Sequence, residues 1–258
     1  MERKKVALVL SGGAALGFAH IGVIKVLEAN NIPIDMVIGT SMGALVGAAY
    51  CAGYSTEEMQ EFGCKFKTID FFDVNFNKSG LFSGKGVMKS INKFLPDDNI
   101  ENLGKEFACV AVDMKEEKEI IFKTGNVRDA VRASLSIPGV FVPLNLDDKI
   151  LIDGGAMNNL PEDVAMEMGA DVIISVDVLS KNFLKSNPSN AIEVLLAAIN
   201  VMVKEVQKHK ACHADIVIKP DTSMLAPMRF GKAATLKAIE QGVIETEKYI
   251  KDIKKLLK

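Results

Sequence analysis

The sequence predicts an α/β layered domain with a largely parallel central sheet. Short apolar runs such as Val6–Leu10 and Val172–Val176 have the length of buried strands, and a glycine-rich turn follows the first of them. Segments with helical periodicity alternate with these runs, which is typical of a sheet covered by helices. The length of 258 residues suits a single core, so residues 1–258 are interpreted as one domain.

The individual elements are predicted from apolar runs, helical periodicity and turn residues. Apolar runs that end at turn residues predict strands at 6–10, 36–39, 107–114, 118–122, near 150, 172–176 and 216–219. Helical periodicity predicts helices at 17–30, 42–52, 127–135, 160–168, 190–212 and 232–257. Ser55, followed three residues later by Glu58, marks the start of a further helix.

Composition excludes several classes of protein. Hydrophobic residues make up 48% and charged residues 25%, and the formal net charge is -2, so the chain is neither disordered nor a strongly basic nucleic-acid binder. The mean hydropathy of +0.18, with 13 Phe, 12 Met and no Trp, indicates a large core or contact with lipid. The four cysteines and three histidines lack the spacing of a disulfide framework or a metal site.

Two uncharged stretches resemble membrane or export segments but have another interpretation. The apolar run after the charged residues 2–5 breaks at Ser11-Gly12-Gly13, unlike a signal peptide. Residues 36–56 read as a strand, a turn and a helix rather than as one continuous bilayer span. We therefore expect a cytoplasmic protein, with peripheral attachment to a membrane as the alternative.

The motif that carries chemistry is Gly39-Thr40-Ser41-Met42-Gly43, a G-x-S-x-G at a predicted strand-to-helix junction. In a nucleophile elbow the serine occupies a strained turn, and the flanking glycines allow the strand and the helix to approach each other. Pattern and context together predict Ser41 as a nucleophile, with Gly39 and Gly43 as supporting residues.

A serine hydroxyl needs a positioned base. A Ser-Asp-His order would use Asp153 with His209 or His213, but these histidines lie within or directly after the helix predicted at 190–212, and only one strand and one helix precede the elbow strand. Asp153 alone is the other candidate, because it follows the apolar run 150–152 and precedes two glycines. An aspartate is a weak base unless burial raises its pKa. An ordinary Asp-Gly turn remains the non-functional interpretation.

A glycine-rich turn between the first strand and helix supplies a third element. Backbone N–H groups of Gly12, Gly13 and Ala14 lie at the start of a predicted helix, where they can hold an anion. No Gly-Lys-Ser/Thr follows, so a nucleotide phosphate loop is disfavoured. An oxyanion hole for acyl transfer fits better.

These blocks together resemble the patatin-like phospholipases, serine acyl hydrolases that use a Ser-Asp dyad. The resemblance rests on the glycine-rich loop 12–17, the elbow 39–43, the block 133–143 and Asp153-Gly154-Gly155, in that order. It implies a three-layer α/β/α sandwich, a Ser41–Asp153 dyad supported by Gly17, Gly154 and Gly155, and no metal or other cofactor. It also implies phospholipid, lysophospholipid or other acyl ester substrates.

The glycine-rich loop departs from the family pattern. Ala14 replaces the usual third glycine and Leu16 replaces a basic residue. Two alternatives therefore stand beside the hydrolase: an acyltransferase that uses the same acyl-enzyme, and a weakly active or non-catalytic lipid-binding protein. The sequence carries no signal for the oligomeric state.

Three segments are candidates for lipid contact. Six phenylalanines fall within residues 62–82, which we interpret either as an apolar flap that lines an acyl pocket or as a small satellite core. The pocket candidates are Phe71, Phe72, Phe76 and Phe82. The apolar run 194–203 is predicted as a core or interface helix, and the last helix as an amphipathic helix packed on the domain.

Overall fold

The computed structural model describes residues 3–67, 80–179 and 191–258. In these ranges, eight strands form one sheet: β1 (Val6–Leu10), β2 (Met36–Thr40), β3 (Glu106–Asp113), β4 (Lys118–Phe122), β5 (Leu144–Leu146), β6 (Lys149–Asp153), β7 (Val172–Val176) and β8 (Ile216–Ile218). The helices are α1 (Ala19–Ala29), α2 (Met42–Cys51), α3 (Thr56–Lys65), α4 (Lys85–Phe94), α5 (Val127–Ser134), α6 (Glu162–Glu167), α7 (Ala191–His209), α8 (Lys232–Glu247) and α9 (Ile250–Leu256). Short 3-10 helices lie at Ala14–Phe18, Ile100–Asn102 and Gly154–Ala156.

The sheet has a parallel part and an antiparallel part. In the parallel part, β1 pairs with β2 and β7, β3 pairs with β2, and β8 pairs with β7. In the antiparallel part, β3 pairs with β4 and β6, and β5 pairs with β6. The predicted parallel sheet is therefore confirmed for five strands. Of the three remaining strands, β4 and β6 run opposite to β3, and β5 pairs antiparallel with β6.

Both faces of the parallel part are covered, which makes the fold a three-layer α/β/α sandwich. Successive side chains of a strand point to opposite faces. Leu8 accordingly belongs to the large apolar cluster that includes α1 and α2, whereas Val9 belongs to a smaller cluster that includes Val164 of α6. Strands buried on both sides are continuously apolar, which explains why β1 and β7 read as uninterrupted runs.

Most predicted elements are present, and the differences have local causes. The helix predicted at 232–257 is two helices, α8 and α9. Near their junction the Thr246 hydroxyl donates a hydrogen bond of 2.7 Å to the carbonyl of Gly242, a contact that often bends a helix. The sequence did not predict α4 or β5, and β5 is only three residues long, too short to show a period. The start predicted at Ser55 is confirmed, because Ser55 and Glu58 form a capping box for α3.

The structure also describes the state of the cysteines and the length and polarity of the helices. All four cysteines are free thiols, two of them buried, as expected from their spacing. In the ranges given above, no helix is both long enough and apolar enough to cross a bilayer.

Candidate active site

Ser41 occupies a strained turn between β2 and α2. Its backbone has φ 54° and ψ −121°, a region that residues with a side chain rarely adopt. The turn brings strand and helix so close that a Cβ on Gly39 would lie 2.5 Å from the backbone of Gly43. A Cβ on Gly43 would lie 2.2 Å from the carbonyl oxygen of Leu10. The predicted nucleophile elbow is therefore present in geometry, with both glycines required by close packing.

The register of the sheet places Asp153 beside Ser41. Strand β2 runs parallel to β3 and ends with Thr40 opposite Val110, while β6 runs antiparallel to β3 and ends with Asp153 opposite Ala111. Because β4 occupies one edge of β3 over residues 109–113, β6 must take the edge that β2 leaves. The carboxyl ends of β2 and β6 therefore meet head-on along β3, and the nucleophile and the carboxylate lie at that junction.

Two serines from the end of α5 and the following turn hold this junction. The N–H of Ser41 donates a hydrogen bond of 2.7 Å to the Ser134 hydroxyl. The N–H of Asp153 donates one of 2.9 Å to the carbonyl of Ser136. Both serines are fully buried. This segment belongs to the block 133–143, to which the sequence alone assigned no function. Its hydrogen bonds hold the ends of β2 and β6 against the same turn.

The carboxyl group of Asp153 is buried and has an unusual pKa. Burial raises the pKa of Asp153 to about 6, although hydrogen bonds from the Ser41 hydroxyl and the Gly155 N–H favour the charged form. The Gly155 N–H donates to Oδ1 at 2.8 Å. A Cβ on Gly154 would lie 2.3 Å from the carbonyl oxygen of Val110, so the turn after Asp153 also depends on glycine. A carboxylate with a pKa near 6 can accept a proton at neutral pH.

The glycine-rich loop runs beside the nucleophile. A Cβ on Gly12 would lie 3.1 Å from Cβ of Ser41. The Gly12 N–H donates a hydrogen bond of 3.2 Å to the carbonyl of Asn159, so this predicted oxyanion donor is already used. In the part of the chain that the structure describes, the N–H groups of Gly13 and Ala14 have no acceptor. The loop therefore offers two backbone donors, at Gly13 and Ala14.

The loop departures from the family pattern have a structural explanation. Ala14 adopts a positive φ of 50°. The Leu16 side chain is buried in the main apolar cluster and does not line the cleft that contains Ser41. Gly17 lies against α2, where a Cβ would come within 2.5 Å of the Met42 side chain. Leu16 therefore contributes to packing, and the backbone donors of the loop do not depend on a basic side chain at that position.

Ser41 and Asp153 open into a cleft of about 220 Å³. The sheet end and the loop form one wall. The opposite wall comes from α7, and from Pro227 and Met228, and it is almost entirely apolar. The helix residues that line the cleft are Leu196, Ile199, Asn200, Met202 and Val203.

The predicted acyl-pocket residues do not form this wall where they can be placed. Phe82 packs against Phe141, with ring centroids 6.4 Å apart, and does not line the cleft. Phe71, Phe72 and Phe76 lie outside the described residues, as does most of the predicted flap at 62–82. The apolar run 194–203, predicted as a core or interface helix, instead provides the apolar wall of the cleft.

The structure places the three histidines outside the lining of the cleft. His209 is exposed and contacts Glu205. The backbone N–H of His213 donates a hydrogen bond of 2.8 Å to the carboxylate of Glu162. His20 is buried against the carbonyl of Ser11, and burial lowers its pKa to about 4. None of them lines the cleft, so the geometry does not favour the Ser-Asp-His alternative, and Asp153 is the carboxyl group that shares a hydrogen bond with the Ser41 hydroxyl.

Comparisons with known proteins show which family this sequence matches. The family described as "Patatin-like phospholipase" matches residues 8–166. The human "Patatin-like phospholipase domain-containing protein 6" is 35% identical over 185 residues, which are 69% of this chain and 14% of that protein. "Lysophospholipase nte1" of Aspergillus fumigatus is 35% identical over 181 residues, which are 68% of this chain and 12% of that protein. The chain thus spans only a small part of the length of these relatives.

A solved structure supports the fold. VipD from Legionella pneumophila superposes with a TM-score of 0.60 over 98% of this chain and 67% of that one, at 14% sequence identity. At that identity the likeness concerns the arrangement of strands and helices alone.

Proposed function

This chain belongs to the patatin-like phospholipase family, and on that premise we propose that it is a serine hydrolase that cleaves carboxylic esters of phospholipids or lysophospholipids. The observation that carries the proposal is the pairing of a strained, buried Ser41 with Asp153, whose pKa is about 6. The name of the fungal relative, a lysophospholipase, supports the choice of substrate class.

The first half of the proposed reaction forms an acyl-enzyme. Ser41 Oγ attacks the carbonyl carbon of the ester while its proton passes to Asp153. The carbonyl oxygen becomes an oxyanion, which the N–H groups of Gly13 and Ala14 stabilise. The tetrahedral intermediate collapses, the bond to the alcohol oxygen breaks, and Asp153 returns the proton to the departing alcohol.

The second half of the reaction restores the enzyme. A water molecule attacks the acyl carbon and gives its proton to Asp153, and a second tetrahedral intermediate forms at the same donors. Collapse releases the fatty acid, and Asp153 returns the proton to Ser41 Oγ. Asp153 thus acts as base and then as acid in each half, which requires a pKa not far below the working pH.

We further propose that the mouth of the cleft contacts a lipid surface. Val201 and Met202, on the outward side of α7, are 67% and 58% exposed, and Met202 also lines the cleft. Large apolar side chains exposed next to a cleft are typical of an interaction site. An acyl chain leaving a lipid aggregate would thus pass from one apolar environment to another.

A fluorophosphonate probe tests the catalytic proposal. Such a probe forms a covalent bond to an activated serine and releases fluoride. We expect labelling of the wild-type chain and its loss in Ser41→Ala, together with a fall in ester turnover of about 10³-fold or more. A folded wild-type chain that takes up no probe would favour the non-catalytic lipid-binding alternative.

A further inference from the structure

A buried histidine beside the glycine-rich loop takes no part in the proposed reaction. His20 lies in the first turn of α1 and is fully buried, and its Nε2 lies 2.9 Å from the carbonyl oxygen of Ser11. A carbonyl oxygen can only accept a hydrogen bond, so Nε2 carries the proton and donates it. Among the residues that the structure describes, Nδ1 has no partner, so the ring makes its hydrogen bond to the loop alone.

The peptide unit between Ser11 and Gly12 is held from both sides. Its carbonyl oxygen accepts the hydrogen bond from His20, and its N–H donates one of 3.2 Å to the carbonyl of Asn159. Because the carbonyl and the N–H of one peptide unit lie in one plane and point in opposite directions, these two bonds fix the orientation of that plane. Without His20, a buried carbonyl would lose its partner, which favours rotation of the peptide unit.

The two proposed oxyanion donors follow directly after this peptide unit. The carbonyl of Gly13, in the same peptide unit as the N–H of Ala14, accepts a hydrogen bond of 3.1 Å from the N–H of Leu16. The peptide unit between Gly12 and Gly13 lies between these two held units, and consecutive glycines leave its orientation to its neighbours. A Cβ on Gly12 would lie 3.1 Å from Cβ of Ser41, so a rotation here displaces backbone that lies against the nucleophile.

We propose that His20 is a positioning residue for the oxyanion hole, because its hydrogen bond to Ser11 holds the loop in the orientation that directs the Gly13 N–H into the cleft. The inference rests on the proposed hydrolase function. His20 itself does not line the cleft, so it acts through the backbone of the loop. Donors that are already directed at the developing negative charge need no rearrangement during the reaction, which is the main source of their effect on rate.

Two substitutions of His20 separate the hydrogen bond from the packing of the ring. His20→Leu fills the space without a donor, whereas His20→Gln keeps an N–H at about the reach of Nε2. On a soluble p-nitrophenyl ester, His20→Leu should lower kcat about 30-fold and change KM less than about twofold, because the oxyanion exists only in the transition states and intermediates. His20→Gln should recover kcat to within about fivefold of the wild type.

A trifluoromethyl ketone gives a second measurement. Ser41 Oγ adds to its carbonyl carbon, the carbonyl oxygen becomes an oxyanion, and the hydroxyl proton passes to Asp153, so the adduct needs the same donors as the reaction. His20→Leu should weaken inhibition by the ketone about 30-fold, in parallel with kcat. Binding of the corresponding secondary alcohol, which forms no oxyanion, should be unchanged.

The chain offers a matched control for a buried hydrogen bond to a backbone carbonyl. The hydroxyl of Thr235, a fully buried residue of α8, donates a hydrogen bond of 2.9 Å to the carbonyl of Gly63. Thr235 does not line the cleft. Thr235→Val removes this bond and nearly keeps the shape of the side chain, so it should lower the unfolding temperature but leave kcat and ketone inhibition unchanged.

The outcomes separate this inference from the proposed function. If folded His20→Leu keeps the kcat and ketone inhibition of the wild type, or if His20→Gln recovers neither, His20 does not position the oxyanion hole, whereas the hydrolase proposal stands. If His20→Leu does not fold, His20→Asn replaces it, because its shorter side chain cannot place a donor at Nε2. If that variant does not fold either, the role of His20 is structural and the inference is overturned. A wild type without ester turnover or fluorophosphonate labelling overturns the hydrolase proposal itself.

Discussion

The two walls of the cleft are built in opposite ways. On the sheet side, Ser41 and Asp153 are buried, and each is tied by its backbone N–H to a serine of the α5 segment. On the helix side, α7 exposes Val201 and Met202 to solvent and buries Oδ1 of Asn200, which has no hydrogen-bond partner among the residues that the structure describes. On the sheet side, a hydrogen bond holds each functional residue in place. On the helix side, the outward face carries exposed apolar side chains, and the inward face carries a buried polar atom that accepts no hydrogen bond within the described ranges.

The difference follows from what each wall has to do. Proton transfer and attack on a carbonyl require the reacting groups within a few tenths of an ångström of a fixed geometry, which packing and hydrogen bonds must enforce. An acyl chain has no directional groups, so an apolar helix can bind it without such precision. The predictions below test this contrast between a rigid and an adaptable wall.

Among variants that keep Ser41, the largest effect is expected at the carboxylate of the rigid wall. Asp153→Asn keeps the shape of the side chain but cannot accept the Ser41 proton, so ester turnover should fall at least about 10²-fold. In the wild type, activity should rise with pH through about 6 and then level off, because only the unprotonated carboxylate is a base. Steady-state kinetics on a soluble ester from pH 4.5 to 8.5 measure both.

The same variant is its own control for folding, since it should be more stable than the wild type at neutral pH. The pKa of Asp153 is raised in the folded state, so its stabilising contribution is present at low pH and is lost as pH rises through about 6. At pH 8 the buried charge costs about 3 kcal/mol, which Asn avoids. Equal thermal unfolding of both proteins at pH 8 would contradict the unusual pKa.

A change in stability of similar size but opposite sign, without a change in charge, is expected from Gly43→Ala. The added methyl group would lie 2.2 Å from the carbonyl of Leu10, so strand and helix must separate at the elbow. Overpacking of this kind should lower the free energy of unfolding by about 3 kcal/mol. Gly104→Ala is the control, because its nearest contact would be 3.4 Å, and it should change stability by less than about 1 kcal/mol.

The smallest effect is expected on the outward face of the adaptable wall. Val201 is exposed and does not line the cleft, so Val201→Ser should weaken binding to phosphatidylcholine vesicles about fivefold while soluble ester turnover is unchanged. Ile244→Ser replaces an apolar side chain that is 44% exposed on α8, and it should leave vesicle binding unchanged. Equal losses for both variants in a sedimentation assay would refute a specific lipid-facing role for α7.

The rigid wall could largely be predicted from the sequence, whereas the adaptable wall could not. The elbow 39–43, the loop 12–17 and the turn after Asp153 carry glycines that local backbone geometry requires, so a single chain segment shows each of them. Apolar helices have no such signature. The run 194–203 reads the same whether it faces a core, a partner or a substrate, and Asn200 within it carries no local signal of the cleft.

The alternation of strands and helices, the strained nucleophile turn and Asp153 as a candidate base could all be predicted from the sequence, because they depend on periodicity and on nearby residues. The fold was needed to show that β6 runs antiparallel and meets β2 head-on along β3, and that the N–H of Gly12 donates to the carbonyl of Asn159. It also shows that α7 covers the cleft. Those outcomes depend on pairing between segments far apart in the chain, which no local pattern of residues specifies.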